Sequence, residues 1–310
     1  MNTVRWSAAR SFTLKRVLRG LAYRLRVAPR QAASVGVATL LRFRNRFSTS
    51  SVVGDEPVLV SMTTYGARFH TVHLALESIG RGSVRPSRMV LWVDDPELAD
   101  NPTPQLLRLI RRGLEVLPCE DYGPHKKYYP ALSIMEKELR LDRLITTDDD
   151  ILYRRNWLSG LVSSAARNPD VILCYRARVV QLDERGFRPW SEWPLCATTS
   201  ASLLHLAIGD AGVSYPRSML GILARRGTGF MSVAPRADDI WLHATAVEAG
   251  IRTRQLRRRS YIPLMTPGSQ AVALAKENIG GGANDRQIGA TYQATQIEML
   301  RRAKELDEDG

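Results

Sequence analysis

The stretch that decides the fold is residues 140–157, RLDRLITTDDDILYRRNW, in which an apolar run leads directly into three consecutive carboxylates. Residues 144–147 have the composition of a buried strand, and Asp148, Asp149 and Asp150 follow it without a break. Strands are depleted in Asp, and adjacent like charges repel each other. The sequence therefore predicts a strand that ends at an edge of a sheet, beside a site where a positive charge belongs.

Strand-like and helix-like segments alternate on both sides of this stretch. The predicted strands are residues 58–62, 89–93, 114–117, 144–147 and 171–175. The predicted helices are residues 71–79, 104–112, 130–139 and 157–167. This alternation predicts an α/β fold with a central mixed, mostly parallel sheet.

The charge of the chain is unevenly distributed. The net charge is +13, yet residues 1–54 contain eleven Lys and Arg and no acid, whereas the remainder has 33 Lys and Arg against 31 Asp and Glu. The body carries little excess positive charge and no recognised nucleic-acid motif, so nucleic acid is not an expected partner. No apolar run reaches the roughly 18 residues of a spanning helix. The three cysteines lack metal-binding or redox spacing, which favours a reducing compartment.

The basic N-terminal extension, residues 1–54, contains an amphipathic pattern over residues 14–26. Leucines and a valine lie on one face and lysine and arginine on the other, which is typical of a helix in the interface of an anionic membrane. We therefore expect a cytoplasmic protein, peripheral on the inner face of the cell membrane. Packing on the body, disorder and a targeting segment are the alternatives.

Two further segments complete the predicted organisation. The body is expected over residues 55–265, and residues 266–310 are expected to form a C-terminal loop and helix. That loop contains Gly280, Gly281 and Gly282, a composition typical of a mobile loop that closes over a ligand. A plain connector is the alternative.

Polar residues follow the predicted strands, where open α/β sheets bind their ligands. Those after the first two strands are Thr63, Thr64, Tyr65, Asp94 and Asp95. Arg68 follows closely and is a candidate phosphate ligand, and Tyr65 is a candidate for stacking on a nucleotide base. Acids after two of these strands fit a site that binds a metal and a sugar nucleotide. We expect the residues named here to bind that sugar nucleotide, which is called the donor below.

The carboxylates after residue 147 suit Mn²⁺ or Mg²⁺, which prefer oxygen ligands. Upstream, GPHKKYYPAL places Lys126 and Lys127 just before a helix, and cations beside a metal site suggest a bound diphosphate. Asp149 is expected to contact the donor or, alternatively, to cap the following segment.

A second acidic pair stands in DDIWLHATAVEAG, where Asp238 and Asp239 begin a predicted helix. Helix N-termini favour acids, so N-capping is the structural alternative to a catalytic role. Trp241 on the same helix suits stacking against an acceptor sugar or, equally, packing in the core. The segment 212–220, GVSYPRSML, is expected to be a loop entering a helix.

Together these motifs resemble nucleotide-sugar-dependent glycosyltransferases of the A-type fold, particularly the bacterial polysaccharide-type, family-2-like members. The resemblance rests on VLVSMTTYGARFHTVHLALESI, MVLWVDD, HKKYYPAL, TTDDDILY and DDIWLHATAVEAG. It implies a single Rossmann-like A-type domain. It also implies a metal-dependent, hexosyltransferase-type enzyme that transfers sugar from a nucleotide-sugar donor to a glycan or lipid-linked acceptor.

The resemblance also implies roles for individual residues. Asp148 and Asp150 match the Asp-x-Asp motif that binds metal and diphosphate. Asp239 best matches the base of inverting members, with Asp238 as the close alternative, and Asp94 or Asp95 matches the acid that contacts the nucleoside.

The chain departs from the family pattern at two places. Pro96 and Glu97 stand where many members have a Ser/Gly-rich turn, and the Gln-x-x-Arg-Trp motif of processive synthases is absent from the sequence. A single transfer per encounter is therefore expected. The competing hypotheses are a sugar nucleotidyltransferase and a catalytically silent membrane- or polyanion-binding protein on a transferase-like scaffold.

Overall fold

The computed structural model describes residues 28–269 and 282–308. Its strands, in chain order, are β1 (Glu56–Thr63), β2 (Pro86–Val93), β3 (Leu114–Pro118), β4 (Arg143–Thr147), β5 (Ile151–Leu152), β6 (Ile172–Cys174), β7 (Ala177–Val179), β8 (Leu182–Asp183), β9 (Gly186–Phe187), β10 (Ala201–Ser202), β11 (His205–Ala207), β12 (Val213–Pro216), β13 (Thr253–Gln255) and β14 (Leu264–Met265).

The helices begin with α1, whose described part covers residues 28–47. The others are α2 (Val72–Gly80), α3 (Pro96–Asp100), α4 (Pro104–Ile110), α5 (Ala131–Lys137), α6 (Trp157–Ala165), α7 (Arg217–Arg226), α8 (Phe230–Val233), α9 (Asp238–Glu248), α10 (Ala283–Thr291) and α11 (Ala294–Glu308). Short 3₁₀ helices cover Gly66–His70, Gly123–Lys127, Trp190–Glu192 and Gly209–Ala211.

Eight strands form the central sheet, in the order β10-β13-β6-β12-β4-β1-β2-β3. β1 pairs in parallel with both β2 and β4, and β2–β3 and β13–β6 are also parallel. β12 runs antiparallel to β4 and β6, and β10 runs antiparallel to β13. The predicted α/β fold with a mixed, mostly parallel sheet is therefore confirmed.

The sheet is covered on both faces because side chains of its strands alternate in direction. Val60 of β1 belongs to one buried cluster and its neighbour Leu59 to the other. The first cluster joins the sheet to α2, α4 and α6 through Leu76, Leu106 and Leu158. The second joins it to α5, α7 and α9 through Leu132, Met219 and Leu242. The result is an α/β/α sandwich whose carboxyl-end edge holds the polar residues.

Most predicted elements are present, with ends shifted by one or a few residues. The segment 212–220 is different, because it contains the strand β12 and the start of α7 instead of a loop entering a helix. β12 has only four residues and is buried throughout. Its strand conformation comes from pairing with β4 and β6, which no local sequence pattern reports.

Helix α1 packs on the body through one face. Ala38 and Leu41 are fully buried in a cluster with Leu74 of α2 and Leu152 of β5. Asn45 Nδ2 donates to Glu77 Oε1 at 3.1 Å. The predicted amphipathic segment 14–26 lies outside the described residues. No helix within residues 28–269 and 282–308 is long and apolar enough to cross a membrane.

The C-terminal helices α10 and α11 pack on α9. Gln296 Nε2 donates to the Ala244 carbonyl at 3.1 Å, and Tyr292 and Leu300 are buried in the same cluster as Ala244. Gly280 and Gly281 of the predicted closing loop lie outside the described residues, and Gly282 directly precedes α10.

Candidate active site

Residues that follow β1 form hydrogen bonds and ion pairs with the acids that follow β4. Asp149 is buried and accepts hydrogen bonds from Thr64 Oγ1 at 2.7 Å and from an Arg68 guanidinium nitrogen at 2.8 Å. The other terminal nitrogen of Arg68 lies 3.0 Å from Asp150 Oδ2. The Arg68 guanidinium carbon also lies 5.3 Å from the centre of the Tyr65 ring. Asp149 thus holds Arg68 in place instead of capping the following segment.

A buried lysine connects the two acidic motifs of the sequence. Lys127 is 7% exposed, and its ammonium lies 3.0 Å from Asp148 Oδ1 and 2.9 Å from Asp238 Oδ2. Burial alone lowers the pKa of Lys127, but attraction to Asp148 and Asp238 outweighs it and raises the pKa well above its ordinary value. The lysine is therefore charged at every physiological pH. The carboxylate that ends β4 and the one that begins α9 share this single cation.

Lys126, the residue before Lys127, contacts an acid at the end of a different strand. Lys126 forms ion pairs with Asp94, directly after β2, and with Asp121 at 2.9 Å. Both lysines lie in the 3₁₀ helix Gly123–Lys127, and consecutive positions there point in different directions. Lys126 consequently lies at the end of β2 and Lys127 at the end of β4.

Asp95 and Thr63, two of the residues predicted to bind the donor, form hydrogen bonds within the protein. Asp95 is exposed and caps α3 by accepting a hydrogen bond from the Glu97 amide at 3.0 Å. Thr63 Oγ1 donates to the Trp92 carbonyl at 3.1 Å and so joins the ends of β1 and β2. Asp94 is therefore better placed for a ligand than Asp95.

The acidic pair at the start of α9 does not cap that helix. Ala237 occupies the N-cap position without a side-chain hydrogen bond. Asp239 instead accepts a hydrogen bond from the Gly209 amide, with both carboxylate oxygens at 3.2 Å. Burial raises the pKa of Asp239 well above its ordinary value, and repulsion from Asp238 adds to the increase. In its deprotonated form, a carboxylate with a raised pKa is a stronger base than an ordinary aspartate.

Trp241 is 4% exposed and packs edge-to-face against Phe230, with the Arg226 guanidinium 4.2 Å from its ring centre. Of the two alternatives that the sequence left open, this is core packing. A ring buried in this way does not present a face to an acceptor sugar.

The sequence analysis missed Asp210 and Arg176, which form an ion pair. Asp210 lies in the 3₁₀ helix that follows β11, next to the Gly209 amide that contacts Asp239. Burial raises the pKa of Asp210 to about 6, against the attraction of Arg176 and with some repulsion from Asp148. The run LLHLAIGDAG carries an acid three residues after the end of β11, so a search for acids shortly after apolar runs would have included Asp210.

The site offers oxygen ligands for a divalent cation. Burial, followed by repulsion from Asp148, raises the pKa of Asp150 to about 7, although Arg68 opposes the increase. The ion pairs described at the end of β4 join three carboxylates to two cations, Arg68 and Lys127. No group of three or more acidic, histidine or cysteine side chains in the described parts of the chain forms a metal-binding cluster. Two carboxylates together with substrate phosphates are a common ligand set for Mg²⁺, so the residues fit a cation that binds with its diphosphate.

No family model matches the chain, and no curated protein matches it either. One solved structure that this chain matches is mannosyltransferase PcManGT from Pyrobaculum calidifontis in complex with GDP-Man and Mn²⁺. The TM-score is 0.48 and the identity 16%, and the match covers 89% of this chain and 79% of that one. A similarity of this degree says nothing about activity.

Proposed function

We propose that this protein is a metal-dependent glycosyltransferase. It moves a hexose from a nucleotide-sugar donor to a glycan or lipid-linked acceptor in cell-envelope or polysaccharide biosynthesis. The transfer is inverting and non-processive, and it takes place in the cytoplasm on the inner face of the membrane. The non-processive character rests on the missing Gln-x-x-Arg-Trp sequence.

One observation carries this proposal: the ammonium of Lys127 lies within 3.0 Å of both Asp148 and Asp238. The proposed metal ligand and the pair that contains the proposed base are far apart in sequence, yet both contact the same lysine. A transferase needs these two functions side by side, since the acceptor must attack the sugar while the diphosphate departs.

Cations at three positions suit the diphosphate of the donor. Lys127 and Arg68 surround the end of β4, and Lys126 lies beside Asp94, the proposed nucleoside ligand. Each of these three cations already forms an ion pair with a carboxylate. An incoming diphosphate therefore competes with those carboxylates for the cations. Asp148 and Asp150 would hold Mn²⁺ or Mg²⁺, which when bound supplies neutralisation of charge on the departing diphosphate.

The remaining requirement is a base for the acceptor hydroxyl. Asp239 is held by the Gly209 amide, and its raised pKa makes its carboxylate a stronger proton acceptor than an ordinary aspartate. Asp238 is engaged with Lys127. We therefore assign proton transfer to Asp239 and keep Asp238 as the alternative.

A thermal-shift panel of nucleoside diphosphates and nucleotide sugars, with and without Mn²⁺, tests the proposal. At least one nucleotide should raise the melting temperature, and the increase should depend on Mn²⁺. Asp150→Asn should remove the Mn²⁺-dependent part, while Asp142→Asn, at the exposed opposite end of the same strand, should retain it. Equal shifts in parent and Asp150→Asn would contradict the metal assignment.

Turnover then separates the competing functions. A glycosyltransferase slowly hydrolyses its donor in the presence of metal and releases nucleoside diphosphate. A sugar nucleotidyltransferase releases pyrophosphate from a nucleoside triphosphate and a sugar phosphate, and a silent scaffold shows neither reaction.

A further inference from the structure

The outer face of α1 is apolar, although the helix is packed on the body through its inner face. Gly36, Leu40, Phe43 and Phe47 follow one another at intervals of four, three and four residues, so they form one stripe along the helix. Leu40 is 55% exposed, and Phe43 and Phe47 are each 64% exposed. Exposed large apolar side chains that share one helix face indicate an interaction surface.

The exposed apolar surface also includes a second position on α1 and a residue of the segment packed beside the helix. Val35 on the neighbouring stripe is 52% exposed. Arg30 donates to the carbonyl of Ile262 at 3.1 Å, and the Ile262 side chain is 56% exposed. Among the described residues, five exposed large apolar side chains therefore lie on α1 or on the segment beside it: Val35, Leu40, Phe43, Phe47 and Ile262.

The charge of this face favours one kind of partner. Arg42 and Arg46 lie on the stripe beside Phe43 and Phe47, and residues 28–54 contain no acid. The rings of Phe43 and Phe47 lie 4.5 Å apart, and the Arg46 guanidinium lies 5.7 Å from the Phe47 ring. Aromatic rings with arginines at their border are suited to the interface of an anionic bilayer, where rings enter the head-group region and cations contact phosphates.

We propose that this face of α1, formed by Val35, Leu40, Phe43 and Phe47 with Arg42 and Arg46, docks on an anionic lipid bilayer. The docking surface is a folded part of the body, separate from the amphipathic segment 14–26. It does not rest on the transferase chemistry, since none of its residues belongs to the proposed donor, metal or base groups.

The position of α1 gives the docking a consequence for the proposed site. The inner face of α1 contacts Leu152 of β5, which follows Asp150 almost directly. Ser34 Oγ donates to the carbonyl of Met265 in β14, the partner strand of β5. Docking therefore fixes the acidic end of β4 relative to the bilayer plane, which suits an acceptor attached to a lipid.

Co-sedimentation of the full chain with vesicles tests the proposal. The vesicles are phosphatidylglycerol mixed with phosphatidylcholine, and phosphatidylcholine alone. The parent should bind the anionic vesicles. F43S/F47S should bind them about tenfold or more weakly, because two rings no longer enter the interface. R42Q/R46Q should bind about tenfold more weakly, with a smaller salt dependence than the parent.

A matched control replaces exposed leucines elsewhere: L139S/L306S should bind like the parent and melt at the same temperature. Equal binding by F43S/F47S and the parent overturns the proposal, including the case in which residues 1–27 carry all of the binding. Conversion of a parent oligomer to a monomer by F43S/F47S, with unchanged vesicle binding, also overturns it, since the face is then a protein interface. Donor hydrolysis without vesicles should be unchanged in F43S/F47S, so failure of the proposed activity would be seen separately.

Discussion

Asp239 is held by a single backbone amide, and this arrangement makes a specific kinetic prediction. In an inverting transfer the acceptor hydroxyl loses its proton as it attacks the sugar. Removing the proton acceptor slows this step without weakening the donor. Asp239→Asn should therefore lower turnover by about a hundredfold or more, the usual scale for a general base. Donor and Mn²⁺ affinities, measured by calorimetry, should be nearly unchanged.

The neighbouring variant provides the control. Asp238→Asn removes the ion pair with Lys127, so it should weaken donor binding more than it slows the chemical step. The reverse pattern, normal turnover in Asp239→Asn and a large loss in Asp238→Asn, would assign the base to Asp238. Loss of turnover in neither variant would contradict the inverting mechanism with a base on α9.

Individual side chains were the least predictable level of the site. The sequence indicated that Asp148, Asp150 and Lys127 lie near one another, because each follows or precedes an element that ends at the same sheet edge. It did not indicate that Asp149 turns inward to hold Arg68, or that Trp241 faces the core. Side-chain direction at a strand end or on a helix depends on tertiary packing, which local patterns do not report.

At the scale of elements, the 3₁₀ helix Gly209–Ala211 sets the distance between Lys127 and Asp239. A methyl group on Gly209 would lie 2.6 Å from the Lys127 ammonium nitrogen and 3.1 Å from an Asp239 oxygen. Gly209→Ala should therefore displace the lysine. We expect nucleoside diphosphate affinity, measured by calorimetry, to fall about tenfold or more, the effect of removing one charge-assisted contact.

A glycine on α7 supplies the comparison. A methyl group on Gly221 has only Arg225 as a near neighbour, at 3.7 Å. Gly221→Ala should therefore bind nucleotide normally and be slightly more stable, as expected for alanine in a helix. Normal nucleotide binding by Gly209→Ala would show that Lys127 is not a donor contact.

Helix α1 predicts the effect of shortening the chain. Removing residues 1–27 deletes none of the contacts described for α1, whereas removing residues 1–50 exposes Leu74 and Leu152 and leaves Glu77 without Asn45. The longer deletion should lower the free energy of unfolding by about 3 kcal/mol or more, the scale of losing a large buried side chain. Urea denaturation of both truncated chains measures the difference, and equal stability would contradict the packing of α1.

Elements that carry an apolar or periodic run of their own were predictable from the sequence, and β12 and β13 were not. β1, β2 and β4 are continuous apolar runs, and α2 and α9 have buried residues along their length, so composition and periodicity identified them. β12 and β13 have four and three residues and exist because a neighbouring strand pairs with them. Such strands depend on pairing with distant parts of the chain. The residues of the strand and their immediate neighbours therefore do not predict them.

At the scale of the whole molecule, buried histidines predict sensitivity to acid. His243 Nε2 donates to the Leu203 carbonyl at 2.8 Å, and its Nδ1 accepts from Tyr292 Oη at 2.5 Å. Burial lowers the pKa of both His243 and His73 from 6.5 to about 4. Below pH 6.5 the unfolded chain therefore binds protons that the folded chain does not. Stability is lost as the pH falls from about 6.5 towards 4.

Urea denaturation at pH 7.5 and pH 5 measures this loss. Each histidine should contribute about 1–2 kcal/mol at pH 5, since one pKa unit corresponds to about 1.4 kcal/mol. His243→Gln should reduce the difference between the two pH values by that amount. His70→Gln, at an exposed position, should leave the difference unchanged. An equal difference in the parent and His243→Gln would contradict a neutral buried His243.

The reversed strand β12 also affects how the chain reaches its native state. β1 to β4 leave the ribosome first and pair among themselves, except along the edge of β4 that later receives β12. Until β12 is synthesised, Leu144 and Ile145 lie on an open edge strand, which favours pairing between nascent chains. The carboxylates that follow β4 oppose such association, because charge beside an apolar strand discourages aggregation. We therefore expect substitutions that weaken the pairing of β12 to lower the yield of soluble protein during synthesis, in addition to the loss of stability that follows from its buried position.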